Sequence, residues 1–416
     1  MDFQTKLENL AELAVRIGTN VQVGQRLNIY AALETVDLVR LITRKAYQAG
    51  AAQVVVFWAD EQIALERILH SQEEFLTHVS EEAHRNYEEF TTRGDARLRI
   101  RTSNPALFAQ ADAKRMQTVA HAISTRHKQS ADKFHSSMVN WSIVPFAVPS
   151  WAEVVFTKEA PEVALEKLWE AVFMATRADQ PDPVAAWQQH LTGLETRRDF
   201  LNHQKLQALE FKSPDTDLRI ELPLLHRWEG GSAQTNNPNH GQSIGYVPNL
   251  PTEEVFTAPH RLGVNGTVKA SKPLFAQGKM IEGICMTFKD GKVMTATATK
   301  NELTLHQILE LDEGAKHLGE VALVAESSPV AQSGLLFQET LFDENAACHI
   351  AMGNAYSYTI RGGNQMSQAE LLAAGANDSA LHMDWMIGSR QMDVTGIRAD
   401  DSKLELLCAG EWAFKP

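Results

Sequence analysis

Cysteine is scarce in this sequence. Among 416 residues there are three, Cys285, Cys348 and Cys408, and they are widely spaced without a CxxC pair. An odd number of scattered cysteines is atypical of a fold held together by disulfides, so we expect no disulfide framework.

Long apolar runs and clustered positive charge are also missing. No stretch approaches the roughly 18 apolar residues of a membrane-spanning helix, and Met1–Gln4 does not begin a basic and then apolar leader. The net charge is −13, and no segment carries a dominant basic patch. We therefore predict a cytoplasmic protein that binds neither membranes nor nucleic acid.

Three familiar sequence signatures do not occur. No GxGxxG follows the first predicted strand, and the chain contains neither GxxxxGK[ST] nor HExxH. These absences argue against a dinucleotide-binding fold, a P-loop and the zincin class of metalloproteases, because each depends on those residues at that spacing.

The first half of the chain alternates helical and strand patterns. The whole chain, with 416 residues and an apolar content of 44%, is sufficient for two domains. Residues 52–58 form a nearly continuous apolar run, which is typical of a strand covered on both faces. We predict an α/β N-terminal domain with a mainly parallel sheet over residues 1–205. Its predicted strands are 25–32, 52–58, 96–102 and 140–148, and its predicted helices are 3–17, 35–48, 61–78, 105–125, 160–178 and 183–207.

After residue 205 the pattern changes to short alternating runs with few helices. The Asp290-Gly291 pair between two such runs indicates a tight hairpin, and Gly230–Gly241 is a loop rich in glycine and asparagine. We predict a mostly antiparallel β (α+β) catalytic domain over residues 206–416. Its predicted strands are 209–212, 217–222, 266–269, 279–287 and 292–298, and its predicted helices are 304–316 and 367–374.

Imidazoles and carboxylates occur close together in apolar surroundings in this second half. His382 and Asp384 stand two residues apart, so on a strand both side chains project from one face. Carboxylates next to apolar residues such as Trp385 need a partner, because an unpaired buried charge is costly. A divalent cation would supply that partner.

Four clusters contribute six candidate metal ligands. Two clusters also have other interpretations. On composition alone, Glu253-Glu254 is more typical of a solvated turn, and Glu320, which begins an apolar strand, is a candidate for a buried ion pair as well as for a metal ligand. Taken together, donors of oxygen and nitrogen without thiolates suit Zn²⁺, Co²⁺, Mn²⁺ or Mg²⁺. Six donors exceed one tetrahedral site and suit two ions that share a carboxylate, as in two-metal hydrolases. The six candidates are Glu254, Glu320, Glu344, His349, His382 and Asp384.

The order of these motifs resembles the aminopeptidase T / aminopeptidase S family of bacterial metallopeptidases. The resemblance is carried by TEEVFT at Thr252–Thr257, by Gly319-Glu320, by DENAACHIAMGNAY at Asp343–Tyr356 and by the HxD motif that precedes Gly388. It implies that the six candidates bind two divalent metal ions per chain, with Glu320 bridging them. It also implies an active-site phenol at Tyr356, a homodimer, and release of N-terminal residues from short peptides.

Some roles stay open from the sequence. Glu253 is a candidate general base, although as the neighbour of Glu254 on a strand it would face the other way. It could instead bind the α-ammonium group of the substrate. Cys348, beside His349, is better explained as a small buried thiol than as a nucleophile, and Trp385 as a core residue rather than a pocket wall.

The same candidate ligands also suit two functions other than that of an aminopeptidase. One is a metal-dependent hydrolase of another amide or ester bond, which the ligand set alone does not exclude. Lysine and arginine are sparse around the metal motifs, which makes an anionic substrate less attractive. The other is a non-catalytic metal-binding module, for which a missing ligand would be the sign; none of the six is missing.

Overall fold

The computed structural model describes residues 1–104, 106–135, 138–236 and 242–414. The chain forms two compact units, one of residues 1–189 with 232–251 and the other of residues 190–231 with 252–416. The domain boundary between residues 205 and 206, and the assignment of catalysis to 206–416, stay predictions.

The helices are as follows in chain order. They are α1 (Phe3–Leu13), α2 (Val36–Gln48), α3 (Glu61–His70), α4 (Glu81–Arg93), α5 (Ala113–His135), α6 (Pro149–Val155), α7 (Pro161–Ala175), α8 (Pro183–Gln204), α9 (Glu302–Leu309), α10 (Pro329–Ser333), α11 (Thr340–Asp343) and α12 (Gln368–Ala373). Within the described ranges, no helix is both long enough and apolar enough to cross a membrane.

The strands of the described residues belong to one parallel sheet, two larger antiparallel sheets and two short pairs. They are β1 (Arg26–Ala32), β2 (Gln53–Ala59), β3 (Ala96–Arg101), β4 (Trp141–Pro145), β5 (Ala208–Ser213), β6 (Thr216–Glu221), β7 (Ala233–Gln234), β8 (Gly245–Tyr246), β9 (Val255–Thr257), β10 (Val264–Lys269), β11 (Leu274–Ala276), β12 (Lys279–Ile281), β13 (Cys285–Lys289), β14 (Lys292–Thr297), β15 (Leu318–Leu323), β16 (His349–Gly353), β17 (His382–Met386), β18 (Asp393–Ile397), β19 (Lys403–Cys408) and β20 (Glu411–Trp412).

The first unit is built on a parallel sheet with the strand order β2-β1-β3-β4. All four strands were predicted, and the predicted class of this half, an α/β fold with a mainly parallel sheet, is confirmed. The expectation that the strand at 52–58 is covered on both faces is wrong. This strand, β2, lies at the sheet edge, and each of its seven residues is half-buried or exposed. An apolar run predicts a strand but does not distinguish a central strand from an edge strand.

Helix boundaries in the first unit differ from the predicted ones. The helix predicted over 61–78 ends at His70, because the backbone of Ser71 is extended. Helix α4 was missed, since its sequence is dominated by charged and polar residues. The helix predicted over 105–125 begins at Ala113 and continues to His135, while residue 105 lies outside the described residues.

The second unit contains an eight-stranded antiparallel sheet in the order β14-β13-β10-β6-β5-β18-β19-β20. The hairpin predicted at Asp290-Gly291 is confirmed, and both residues have positive φ angles, 49° and 81°, as its two-residue turn requires. The strand predicted over 279–287 consists of two strands, β12 and β13. The mostly antiparallel character predicted for this half is confirmed. Part of the glycine- and asparagine-rich loop, residues 237–241, lies outside the described residues.

A second antiparallel sheet of this unit, in the order β17-β16-β15-β9, is called the site sheet here. Val321, Ile350 and Trp385 are aligned across it and lie in the same apolar core as residues of the eight-stranded sheet, including Phe211 and Ile220. Because side chains alternate along a strand, the residues next to this row face the other side of the site sheet.

Candidate metal centre

The face of the site sheet opposite the core carries ionisable groups. Glu320 on β15 is paired with Ala351 on β16, and Ala351 is paired with Asp384 on β17, so the three residues form one row. Glu320 and Asp384 are both buried. The His382–Asp384 spacing on one strand face, which the sequence predicted, is present in β17.

One group of potential ligands lies at the β9–β15–β16 side. Glu254 immediately precedes β9, and His349 begins β16. Nε2 of His349 lies 3.0 Å from Oε2 of Glu254 and 3.5 Å from Oε1 of Glu320. Ligand atoms of these three residues lie within 4.8 Å of one another, which is close enough to hold one cation.

A second group lies at the β15–β17 side and shares Glu320 with the first. Nε2 of His382 is 3.8 Å from Oε2 of Glu320 and 3.5 Å from Oδ2 of Asp384. Their ligand atoms also lie within 4.8 Å of one another. Glu320 is therefore the only carboxylate common to both groups among the described residues.

Backbone carbonyls orient both imidazole rings. Nδ1 of His382 lies 2.8 Å from the carbonyl oxygen of Asn354, and Nδ1 of His349 lies 3.2 Å from that of Ala347. In the neutral form of such a ring, an Nδ1–H that donates to a carbonyl leaves Nε2 with its lone pair for a metal ion. Nε2 is the nitrogen that faces the carboxylates in both residues. Metal-binding histidines are commonly oriented in this way by their other ring nitrogen.

The carboxylates of the centre strongly influence one another. Burial raises the pKa of Glu320 to about 7, even though a hydrogen bond from His349 favours its charged form. Burial, followed by the charges of Glu254 and Asp384, raises the pKa of Glu344 well above its ordinary value. The four carboxylates thus lie in a low-dielectric environment in which their charges repel.

The same surroundings favour the charged form of the two histidines. Burial alone lowers the pKa of His349, but its hydrogen bonds to Glu254 and Glu320 raise it well above the ordinary value. Burial likewise opposes the charged form of His382, yet Asp384 raises the pKa of that ring to about 10. Burial favours the neutral form of Asp384 too, and His382 nevertheless lowers the pKa of its carboxyl group. The arrangement favours positive charge between the carboxylates.

The residues present therefore suit divalent cations. Oδ1 of Asp384 is buried and has no hydrogen-bond partner within the part of the chain that the structure describes. A buried polar atom without a partner is costly, and coordination to a cation would satisfy it. Oxygen and imidazole donors are the types that Zn²⁺, Mn²⁺ and Co²⁺ accept.

Glu344 and Tyr356 border the two groups. Glu344 begins the 3₁₀ turn Glu344–Ala346 and belongs to neither group, although it is close enough for Glu254, Asp384 and Glu320 to affect its pKa. The ring of Tyr356 lies 4.7 Å from that of His382. Burial and then the charge of Glu320 raise the pKa of this phenol well above its ordinary value.

Glu253 has a different set of neighbours from Glu254. Its backbone N–H donates to Oδ1 of Asn345 at 2.6 Å, and its Oε2 lies 3.7 Å from Nε2 of His190. Sequence reasoning missed His190 and Asn345. Asn345 stands next to Glu344 in the quoted DENAACHIAMGNAY motif, whereas nothing in the local sequence around His190 indicates its position.

Two non-catalytic interpretations agree with the structure. Cys348 is buried, and its Sγ donates to the carbonyl oxygen of Val324 at 3.3 Å, while burial raises the pKa of the thiol to about 11. Such a thiol is a poor nucleophile at neutral pH. Trp385 is completely buried and belongs to the apolar core.

This cluster of buried carboxylate and imidazole donors is typical of a metalloenzyme. The comparisons with known proteins identify its family. The sequence profile described as thermophilic metalloprotease (M29) matches residues 3–412. The chain belongs to the M29 family of metallopeptidases, so it is a peptide-bond hydrolase that uses a divalent metal ion.

Individual relatives match along the whole chain. Aminopeptidase T of Thermus thermophilus is 42% identical over 410 residues, and aminopeptidase AmpS of Bacillus subtilis is 40% identical over 413; each match covers 99% of both chains. The solved structure of AmpT from Thermus thermophilus has a TM-score of 0.92 at 40% identity and covers 99% of this chain and 100% of that one. These matches confirm the predicted resemblance to the aminopeptidase T / aminopeptidase S family.

Proposed function

We propose that this protein is an aminopeptidase that releases N-terminal amino acids from short peptides at a centre of two divalent metal ions. The observation that carries the proposal is the shared carboxylate: Glu320 belongs to both three-residue groups of potential ligands. The full-length relatives support the activity, because they are named aminopeptidases.

Each metal ion would have its own protein ligands. Glu254 and His349 would hold one ion and His382 and Asp384 the other, with Glu320 bridging them; Glu344, at the edge of both groups, would complete the set. When bound, two such ions would acidify a shared water and polarise the scissile carbonyl group. Zn²⁺, Co²⁺, Mn²⁺ and Mg²⁺ are the candidates.

Side chains of the protein would perform the remaining steps. The phenol of Tyr356, whose ring lies against His382, would donate a hydrogen bond to the carbonyl oxygen as negative charge develops there. Glu253 would carry a proton from the attacking water to the leaving amine. The alternative role for Glu253 is to bind the α-ammonium group of the peptide, which would restrict cleavage to free N-termini.

The experiment that tests this proposal compares peptides with free and blocked N-termini. The protein is stripped of metal with a chelator and then reloaded with Zn²⁺, Co²⁺, Mn²⁺ or Mg²⁺. Hydrolysis of aminoacyl-p-nitroanilides and dipeptides is measured next to that of their N-acetylated forms, with His382→Ala as the control variant. We expect cleavage that is restored by metal, restricted to free amines and lost in the variant.

Other results would contradict the proposal in specific ways. Cleavage of the acetylated substrates would indicate an endopeptidase or an amidase. If protein that binds two ions per chain cleaves no substrate with any metal, the aminopeptidase assignment is wrong. One bound ion per chain, with full activity, would contradict the two-metal centre alone.

Two properties remain predictions of the sequence and its resemblance. The chain is predicted to form a homodimer, which light scattering of the purified protein would test. It is also predicted to be cytoplasmic, which fractionation of cells that produce it would test.

A further inference from the structure

One buried amide connects two segments that carry candidate metal ligands. The side chain of Asn345 is completely buried. Its Oδ1 accepts from the backbone N–H of Glu253 at 2.6 Å, and its Nδ2 donates to the carbonyl oxygen of Leu341 at 2.9 Å. Its own carbonyl oxygen accepts from the hydroxyl of Ser328 at 3.0 Å.

The two partners of the amide are backbone groups in different parts of the chain. Glu253 directly precedes Glu254, and Leu341 lies in α11, which leads into the turn that begins with Glu344. Thr252, the residue before Glu253, is held by a different side chain: Nε2 of His190 lies 2.8 Å from its carbonyl oxygen. Residues 252–254 are therefore fixed by side chains although they precede the regular hydrogen bonding of β9.

We propose that Asn345 is a positioning residue: it holds the backbone at Glu253 and thereby places the carboxylate of Glu254 relative to Glu344 in the metal centre. This inference rests on the proposed metal centre. Metal–ligand distances tolerate errors of about 0.2 Å, so a ligand on a loose segment would bind more weakly. Groups that orient ligands without touching the metal typically contribute 10- to 100-fold to its affinity.

Only an amide of this length provides both hydrogen bonds. Aspartate would keep an acceptor for the N–H of Glu253 but lose the donor to Leu341, and leucine would lose both. A buried backbone N–H without a partner is unfavourable, so the segment would shift to find water or another acceptor. The expected consequence is a displaced Glu254 carboxylate in a chain that otherwise remains folded.

The test measures zinc binding and catalysis separately. Asn345→Ala is stripped of metal, and its affinity for Zn²⁺ is determined by competition with a chromophoric chelator. We expect the site that Glu254 and His349 would hold to lose roughly 10- to 100-fold in affinity. We also expect kcat on leucine p-nitroanilide to fall while KM changes little, because excess substrate does not correct a displaced ligand.

The chain offers a matched control in Asn202. Its side-chain amide also makes two hydrogen bonds to backbone, accepting from the N–H of Trp228 at 3.0 Å and donating to the carbonyl oxygen of the same residue at 2.9 Å. Asn202→Ala should lower the unfolding midpoint in a similar way and leave zinc affinity unchanged. Wild-type zinc affinity in folded Asn345→Ala, or an equal loss in both variants, would overturn the proposal.

A measurement on the wild-type chain covers the case in which Asn345→Ala does not fold. Hydrogen exchange of the Glu253 amide is followed in metal-stripped protein. We expect exchange as slow as that of amides inside the site sheet, because the bond to Asn345 does not depend on metal. Rapid exchange would overturn the proposal. The zinc measurement is independent of activity, so a wild-type protein without aminopeptidase activity would contradict the proposed function and not this inference.

Discussion

Glu320 and Asp384 face the same side of the site sheet from strands that are not neighbours, and the residue between them in the row is Ala351. Adjacent strands are about 4.8 Å apart, so the two Cα atoms are separated by roughly 10 Å. Both carboxylates can reach inward over the methyl group of Ala351. A small residue at this position leaves the volume that metal ions and a water molecule would need.

A larger side chain at position 351 should therefore interfere with metal binding. We expect Ala351→Leu to bind less metal after reloading and to lose most of its activity, because the added atoms project between the two carboxylates. Overpacking would also lower the free energy of unfolding by about 1–3 kcal/mol. Metal content measured by mass spectrometry on reloaded protein checks this expectation.

The control for that variant is on the opposite face of the same strand. Ile350 is completely buried in the apolar core, and Ile350→Val should cost about 0.5–1.5 kcal/mol of stability. Its metal content should equal that of the wild type. Full metal content in Ala351→Leu would show that the metal ions do not need the space above Ala351.

The shared carboxylate provides a second prediction. Glu320→Gln preserves the shape of the side chain but removes the charge common to both groups, so we expect both sites to be weakened. The loss in kcat/KM should exceed the roughly 100-fold that changes outside the ligand shell produce. Glu344→Gln, at the border of the centre, should cause a smaller loss. Equal losses in the two variants would contradict a special bridging role for Glu320.

Tyr356 is expected to affect catalysis and not metal binding. Tyr356→Phe keeps the ring that packs against His382 and Tyr358 and removes only the hydroxyl group. We expect kcat to fall about 10²- to 10³-fold, as observed when a single donor to a developing oxyanion is removed. Metal content should not change. Tyr358→Phe is the matched control, and an equal loss of activity in that variant would contradict the assignment.

Part of the candidate site was accessible from the sequence because its signals are local. The alternation of His382 and Asp384 fixed their common face, and the apolar run after Glu320 indicated a buried strand. The quoted motifs place all six candidate ligands in the second half of the chain. None of this required knowledge of which strands are neighbours.

Features that depend on long-range pairing could not be predicted in this way. The contact of Asn345 with the Glu253 backbone spans 92 positions in sequence, and the position of Ala351 between two carboxylates follows from the strand order. The edge position of β2 is a similar case, because its apolar residues fit a central strand equally well. Sequence patterns describe a single element, and strand order and register emerge only in the folded chain.

Glu229, which is not a candidate ligand, supplies a prediction about stability. Its carboxyl group pairs with Nε of Arg227 at 2.8 Å. Burial nevertheless raises its pKa from the ordinary 4.5 to about 7, since Arg227 offsets only part of the effect. Between these values the folded chain binds a proton that the unfolded chain has released. Proton binding to Glu229 therefore stabilises the folded chain. This stabilisation is complete below pH 4.5 and is lost as the pH rises to 7.

Glu229→Gln should remove this dependence, because the amide stays neutral at every pH. Each pKa unit corresponds to about 1.4 kcal/mol, so the stability of the variant relative to the wild type should rise by on the order of 1–3 kcal/mol between pH 5 and pH 8. Urea unfolding of both proteins at the two pH values measures the difference. A constant difference would mean that Glu229 ionises normally in the folded chain, with Arg227 compensating fully for its burial.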